Sequence, residues 1–204
     1  MSKGGVFILS GPSGSGKDTI LQELFRRCPD LKFSISSITR PMRKGETEGE
    51  KYHFISRESF EDMIKNGELL EYNEYVGNYY GTPRKPVEEA VENGNDIFIE
   101  VDVNGAANIR KALPEAVSIF VMPPSYGELF RRLSGRGSET PEVIARRMEN
   151  AVGEIKRATE YDFVVINDDL SCAVDDMIKI ISGSSFLLKR KKQFIDEVLC
   201  HAES

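Results

Sequence analysis

The 204-residue chain lacks any apolar run approaching the roughly 18 residues that a membrane-spanning helix needs, so no bilayer crossing is expected. Its opening "MSKGG" is not followed by the apolar stretch and small-residue cleavage site of a secretory signal, which makes a cytoplasmic protein the expectation. Cysteine is scarce: Cys28, Cys172 and Cys200 are odd in number, far apart and in no C-x-x-C pair. That argues against both a disulfide framework and a thiolate zinc site. His53 and His201 have no histidine or cysteine neighbours and suggest neither a metal centre nor a triad. An excess of basic charge is missing too. With 27 Lys and Arg against 33 Asp and Glu, the net charge is -6. A general nucleic-acid binder would carry a basic surface to displace counterions, so any phosphate recognition here has to be local. Repeats, low-complexity tracts and long Pro/Gly/Ser linkers are absent as well. A single domain is expected, and the oligomeric state, a homo-oligomer included, is left open.

What is present is an alternation of short β-branched runs with helical stripes. Val6 to Leu9, Ile97 to Val101, Val117 to Val121 and Phe163 to Ile166 read as strands covered on both faces. After Lys17, residues Ile20, Leu21, Leu24, Phe25 and Cys28 share one helical stripe that Pro29 ends. Ser125 and Glu128 have capping-box spacing, and Thr140-Pro141 opens a helix running to about Arg157. Such alternation predicts an α/β fold with a parallel sheet. The stretch from Phe33 to Pro83 differs, with short strands, Ser56 capping a brief helix through Ile64, and turns at "NG", "GN" and "YYGTP". It reads as an inserted subdomain. Residues 186–201 read as an amphipathic terminal helix with a basic cluster, most simply a solvated face.

Directly after the first strand stands "SGPSGSGKDT". Gly11-x-x-x-x-Gly16-Lys17 fits a phosphate loop (P-loop), in which backbone N–H groups wrap phosphate oxygens and lysine neutralises charge. The strand before and the amphipathic helix after it place a helix N-terminus at the phosphate. Gly11, Pro12, Ser13, Gly14, Ser15, Gly16, Lys17, Asp18 and Thr19 are therefore the candidate donor-phosphate contacts. Asp18 stands where such loops carry a hydroxyl that ligates magnesium. Two readings stay open: it points away as a first-turn acid, the one favoured, or it holds the metal through water. Thr19 offers a hydroxyl about 100° further round the helix.

In "FSISSITRPMRKGETEGEKYHF", Arg40 and Arg43 lie three residues apart near Tyr52. Guanidinium forks and phenols suit a phosphate dianion. The plainer reading pairs these arginines with Glu46, Glu48 and Glu50.

Taken in order, "GPSGSGK", "SISSITRPMRKGETEGEKYHF", "GNYYGT", "EVDVNGAANIR", "PPSYGELFRRLSGRGSE" and "YDFVVINDDL" resemble the guanylate kinases, nucleoside monophosphate kinases that make GDP and ADP from GMP and ATP. The resemblance runs from Val6 to about Ile181. It implies a P-loop NTPase-type parallel core (about 1–32, 84–124 and 160–185), a GMP-binding subdomain (about 33–83), a helical lid (about 125–159) and a C-terminal helix (about 186–204). It further implies that Arg40, Arg43, Tyr52 and Tyr80 hold the GMP phosphate and that Ser36, Glu71, Thr82 and Asp102 read guanine. The chemistry agrees, because the guanine N1–H and 2-amino donors need carboxylate acceptors and its O6 and N7 take hydroxyl donors. Arg132, Arg136 and Arg147 flank a Gly-containing break and correspond to the family's lid over the donor nucleotide; Asn167 resembles its adenine contact. Lys17, Arg40, Arg136 and Arg147 would act in catalysis, with Mg²⁺ and ATP as the co-substrate pair, GMP (and dGMP) as acceptor, and no nucleic-acid or membrane partner. No metal ligand is assigned, though Glu100 is a candidate outer partner of magnesium, with a salt bridge as its alternative. Two rival readings stay open: a guanylate-kinase-like binding module without turnover, and a sugar-phosphate kinase, since a related ribose-bisphosphate kinase also carries Gly-Lys-Asp.

Overall fold

The computed structural model describes residues 3–135 and 140–202. Five strands, β1 (Val6–Ser10), β2 (Lys32–Phe33), β7 (Ile97–Glu100), β8 (Val117–Met122) and β9 (Phe163–Ile166), form one sheet in the order β2-β7-β1-β8-β9. Every pairing in it is parallel. β1 is central and buried along its whole length, which is why "VFILS" shows no alternation. Phe7 and Phe98 stack across the β1–β7 pair, centroids 5.1 Å apart. One face of the sheet is covered by α1 (Lys17–Arg27) and α7 (Leu170–Ser184), through Ile20, Leu24, Val174 and Met177. The other takes α3 (Arg84–Glu92) and α4 (Val103–Ala112), through Val87, Ala106 and Ile109. Each large apolar side chain buried this way contributes about 1.5–3 kcal/mol.

A second sheet, in the order β4-β3-β6-β5, is built from β3 (Ser36–Ile38), β4 (Tyr52–Phe54), β5 (Leu69–Tyr75) and β6 (Asn78–Pro83). Its helix α2 (Arg57–Lys65) packs Phe60 onto Tyr79, and Ser56 caps it by accepting from the Ser59 N–H. This is the inserted subdomain, with one change of boundary: β2 contains Phe33 but pairs with β7 in the core sheet, so the insertion begins after it. Two helices follow β8. α5 (Tyr126–Ser134) is capped by Ser125, which accepts from the Glu128 N–H. The Glu128 carboxylate does not return the bond; Arg131 and Arg132 hold it instead, so only half of the capping box exists. α6 (Pro141–Lys156) starts at Pro141 without a side-chain capping bond from Thr140. The chain closes with α8 (Leu188–Ala202). Among the described residues, no helix is long and apolar enough to cross a membrane.

Candidate active site

Strand ends decide where the site lies. β1, β7 and β9 all finish at the same edge of the sheet, where ligands of open α/β sheets bind. Beyond β1 the chain turns through residues 11–16 into α1. Gly11 has φ +147°, and a Cβ there would stand 2.3 Å from the Val121 carbonyl oxygen; Gly16 has φ +91°, and its Cβ would stand 2.3 Å from Asn167 Nδ2. Only glycine fits either place. No side chain caps α1, so its first N–H groups face the cleft, where an anion is favoured. Lys17 folds back over the loop and donates to Gly11 O at 2.6 Å and Pro12 O at 3.4 Å. Burial lowers its pKa, against the pull of Glu100, Glu154 and Asp18. Ser15 Oγ is buried with no partner among the described residues.

Three further groups brace this loop. Arg147 of α6 donates to Ser13 Oγ at 2.6 Å. Arg132 of α5 reaches Ser15 O at 3.3 Å and Asn167 O at 2.9 Å. Asn167, just past β9, is buried and donates from Nδ2 to Ser15 O at 2.8 Å. Its amide nitrogen therefore fastens the loop from behind. Arg136 lies outside the described residues.

On the opposite wall, Arg40 is buried and makes a two-pronged pair with Glu46, 2.6 and 2.7 Å, while the Arg43 N–H donates to the same carboxylate at 2.7 Å. Arg40 and the Arg43 amide hold the Glu46 carboxyl down at about 2. The pairing alternative raised by the sequence is thus realised for Arg40 with Glu46, in the same cradle to which Tyr52, Tyr80 and the exposed Arg43 contribute. Ser36, at the start of β3, lines the cleft beside them. Glu71 on β5 is buried, and Thr82 on β6 donates to its Oε1 at 2.8 Å. Burial pushes the Glu71 carboxyl up to about 7, against the pull of the Thr82 hydroxyl. Asp102 caps α4: its Oδ1 accepts from the Asn104 and Gly105 N–H groups at 2.9 and 2.8 Å, and Oδ2 lies 3.4 Å from Asn73 Nδ2. One carboxylate oxygen is spent on the helix, and the other faces the cleft.

Asp18 lines the cleft with its side chain 69% exposed and is bonded by Lys51 from the subdomain. Lys51 also lies 2.9 Å from Glu100, so the salt-bridge alternative for Glu100 is the one seen. Among the described residues, no three His, Cys, Asp or Glu group together as a metal cage. Two carboxylates, Asp18 and Glu100, suit a magnesium ion that arrives on nucleotide phosphates and keeps most of its water.

Lys51, Asn73, Glu154 and Arg157 were not singled out by sequence. Asn150, Glu154 and Arg157 all line the cleft. With Arg147 they follow helical spacing along one face of α6 and its end, a signal that was available in the sequence. Thr19 lines the cleft as well.

The phosphate loop, the arginine–tyrosine cradle, Glu71 and Asp102 surround one cleft of about 980 Å³. This layout defines a class: a phosphate-loop α/β protein whose inserted subdomain presents a second anion site to the first. Comparison with known proteins narrows it. The family model described as guanylate kinase matches residues 3–184. A guanylate kinase of Lactiplantibacillus plantarum is 46% identical over 206 residues, covering 100% of both chains. One from Aliivibrio fischeri is 48% identical over 195 residues, 95% of this chain and 93% of that protein. The crystal structure of guanylate kinase from Anaplasma phagocytophilum is similar at a TM-score of 0.76 and 34% identity, over 93% of this chain and 90% of that one. The chain belongs to the guanylate kinase family.

Proposed function

We infer that the protein phosphorylates GMP, and dGMP with it, to the diphosphate at the expense of ATP. The observation that carries this is the pairing of two anion cradles across one cleft with a buried carboxylate, Glu71, beside the second. The phosphate loop, residues 11–19, takes the ATP phosphates, with Lys17 leaving the Gly11 and Pro12 carbonyls to neutralise them. Arg132, Arg136 and Arg147 close over the donor, and Asn167 Oδ1 meets adenine. On the acceptor side, the GMP phosphate displaces Glu46 from Arg40 and is held with Arg43, Tyr52 and Tyr80. Ser36 and Thr82 supply hydroxyls to the base; Glu71 and Asp102 Oδ2, given up by Asn73, accept from its N1–H and 2-amino group. Adenine presents the wrong pattern there, and such a site discriminates by about 10⁴ to 10⁵.

The acceptor oxygen is already an anion, so no general base is required. Catalysis is alignment plus charge neutralisation in a water-poor cleft. Lys17 spans the bond that breaks, Arg40 touches acceptor and transferring group, and Arg136 and Arg147 stabilise the charge that develops. Asp18 and Glu100 are the carboxylates that would hold a magnesium ion accompanying ATP, which would supply further charge neutralisation. The setting we propose is the cytoplasm.

The deciding experiment is ADP production from MgATP with GMP, dGMP, AMP or ribose 1,5-bisphosphate as acceptor. GMP and dGMP should be used and AMP should fail. No turnover with bound GMP would leave a binding module, and preference for the sugar bisphosphate would overturn the assignments of Glu71 and Asp102.

A further inference from the structure

Lys51 precedes β4 on the acceptor side, yet its ammonium crosses to the donor side. It bonds Asp18 in the first turn of α1 and stands 2.9 Å from Glu100 at the end of β7. It also lies 5.9 Å from the centre of the Tyr52 ring in the acceptor cradle. Burial alone would lower the Lys51 pKa, but Glu100 and Asp18 together raise it well above the ordinary lysine value. Glu100 is nearly buried, with its side chain 12% exposed, whereas Asp18 stands largely in solvent. Lys17, the cation of the phosphate loop, is close enough for its own charge to respond to Glu100, Asp18 and Lys51.

A phosphate loop works by concentrating positive potential, and Asp18 opposes that. An uncompensated Asp18 would therefore weaken nucleotide binding, by an amount that solvent around its exposed carboxylate reduces. We propose that Lys51 is a positioning residue that neutralises Asp18 and Glu100 in the ligand-free cleft, so that the phosphate loop admits a nucleotide before any metal ion compensates those carboxylates. The proposal rests on reading this loop as a nucleotide site and on no particular acceptor. Lys51 touches no reacting atom. Its effect is greatest for metal-free nucleotide, because a divalent ion on the phosphates screens the same two carboxylates.

Equilibrium titration of the full chain with ADP, in EDTA and in excess magnesium, tests this. Lys51→Met should weaken metal-free ADP about tenfold and magnesium-ADP less than about threefold, and Lys51→Arg should stay near wild type. The double variant Asp18→Ser/Lys51→Met should recover most of the loss, which a general structural defect would not allow. Unchanged affinity for metal-free ADP, equal losses with and without magnesium, or no recovery overturns the proposal. If Lys51→Met fails to fold, Asp18→Ser alone decides. With Lys51 already cancelling Asp18, it should tighten metal-free ADP by no more than about twofold, and a gain near tenfold would show Asp18 uncompensated. Turnover is scored separately: a wild-type chain that binds ADP but phosphorylates no acceptor removes the GMP reading and leaves the ADP titrations to judge Lys51.

Discussion

Glu71 shows how a single buried carboxyl can cost the fold stability. Its folded carboxyl sits at about 7 against an ordinary 4.5, chiefly because burial disfavours the anion. Below about pH 4.5 the group is protonated in folded and unfolded chains alike and contributes nothing. As pH rises towards 7 the unfolded chain ionises first, so stability is lost, by about 3 kcal/mol in all, and stays lost above 7. Glu71→Gln keeps an acceptor for Thr82 and removes that penalty. Denaturant unfolding should therefore find the variant more stable than wild type at pH 8 and equal to it near pH 4. Guanine's donors call for the anion, so the same variant should bind GMP at least about tenfold more weakly, and wild-type affinity should fall as pH drops below 7. A Gln variant no more stable at pH 8 would show that Glu71 is not under this strain. At this scale the sequence was legible as to which residues meet in the cleft, Lys17, Arg40 and Glu71 among them, and the plainer pairing of Arg40 with Glu46 is the contact present. It was illegible where a residue's role depends on a partner distant in the chain, as with Lys51 against Asp18 and Asn73 against Asp102.

Elements were readable to the extent that their pattern was local. β1, β7 and β8 are apolar runs because both faces of the sheet are covered there, and each was recognisable for that reason; β9 is an edge strand that leaves Val164 and Ile166 exposed, so the expectation that it is covered on both faces is corrected. Ser56 and Ser125 begin α2 and α5 as their spacing foretold. β2 has only two residues, too few to show any period, and its place beside β7 follows from tertiary pairing. α4 begins at Asp102 and carries Asn104 and Gly105, poor helix formers whose presence masks the helix in sequence. Gly105 is explained by its surroundings, since a Cβ there would come within 3.1 Å of Glu71 Oε2. α5 matters to the site because Arg132 projects from it onto Ser15 and Asn167. With Glu128 not reciprocating, its start hangs on one Ser125 bond to the Glu128 N–H, 3.1 Å long. Ser125→Ala should cost about 1 kcal/mol in denaturant unfolding, and Ser125→Asp should restore it. An unchanged midpoint for the alanine variant would mean the helix start is held by packing of Leu129 and Leu133 rather than by its cap.

For the molecule as a whole, the two cradles answer to different structures, one to the core sheet and one to the inserted sheet. Several polar contacts cross between them, namely Lys51 to Asp18 and Glu100, and Asn73 to Asp102. Each ties up groups that the proposed mechanism assigns to the substrates, so under that proposal binding and rearrangement of the cleft are one event. At about 980 Å³ the ligand-free cleft is roomy enough to hold water, and water is a competing acceptor for the ATP phosphoryl group. In the mechanism we propose, protection depends on the acceptor itself: GMP draws Arg40 from Glu46 and brings the subdomain onto the loop before Lys17 and the lid arginines act together. The net charge of -6 assists neither substrate, leaving these local contacts as the source of attraction. The measurable consequence is idle hydrolysis. MgATP alone should yield ADP at least about a thousandfold more slowly than MgATP with saturating GMP. Guanosine, which lacks the phosphate that displaces Glu46, should not raise the idle rate. Comparable rates with and without GMP would mean that the ligand-free arrangement is already competent and that closure on the acceptor phosphate plays no part in excluding water.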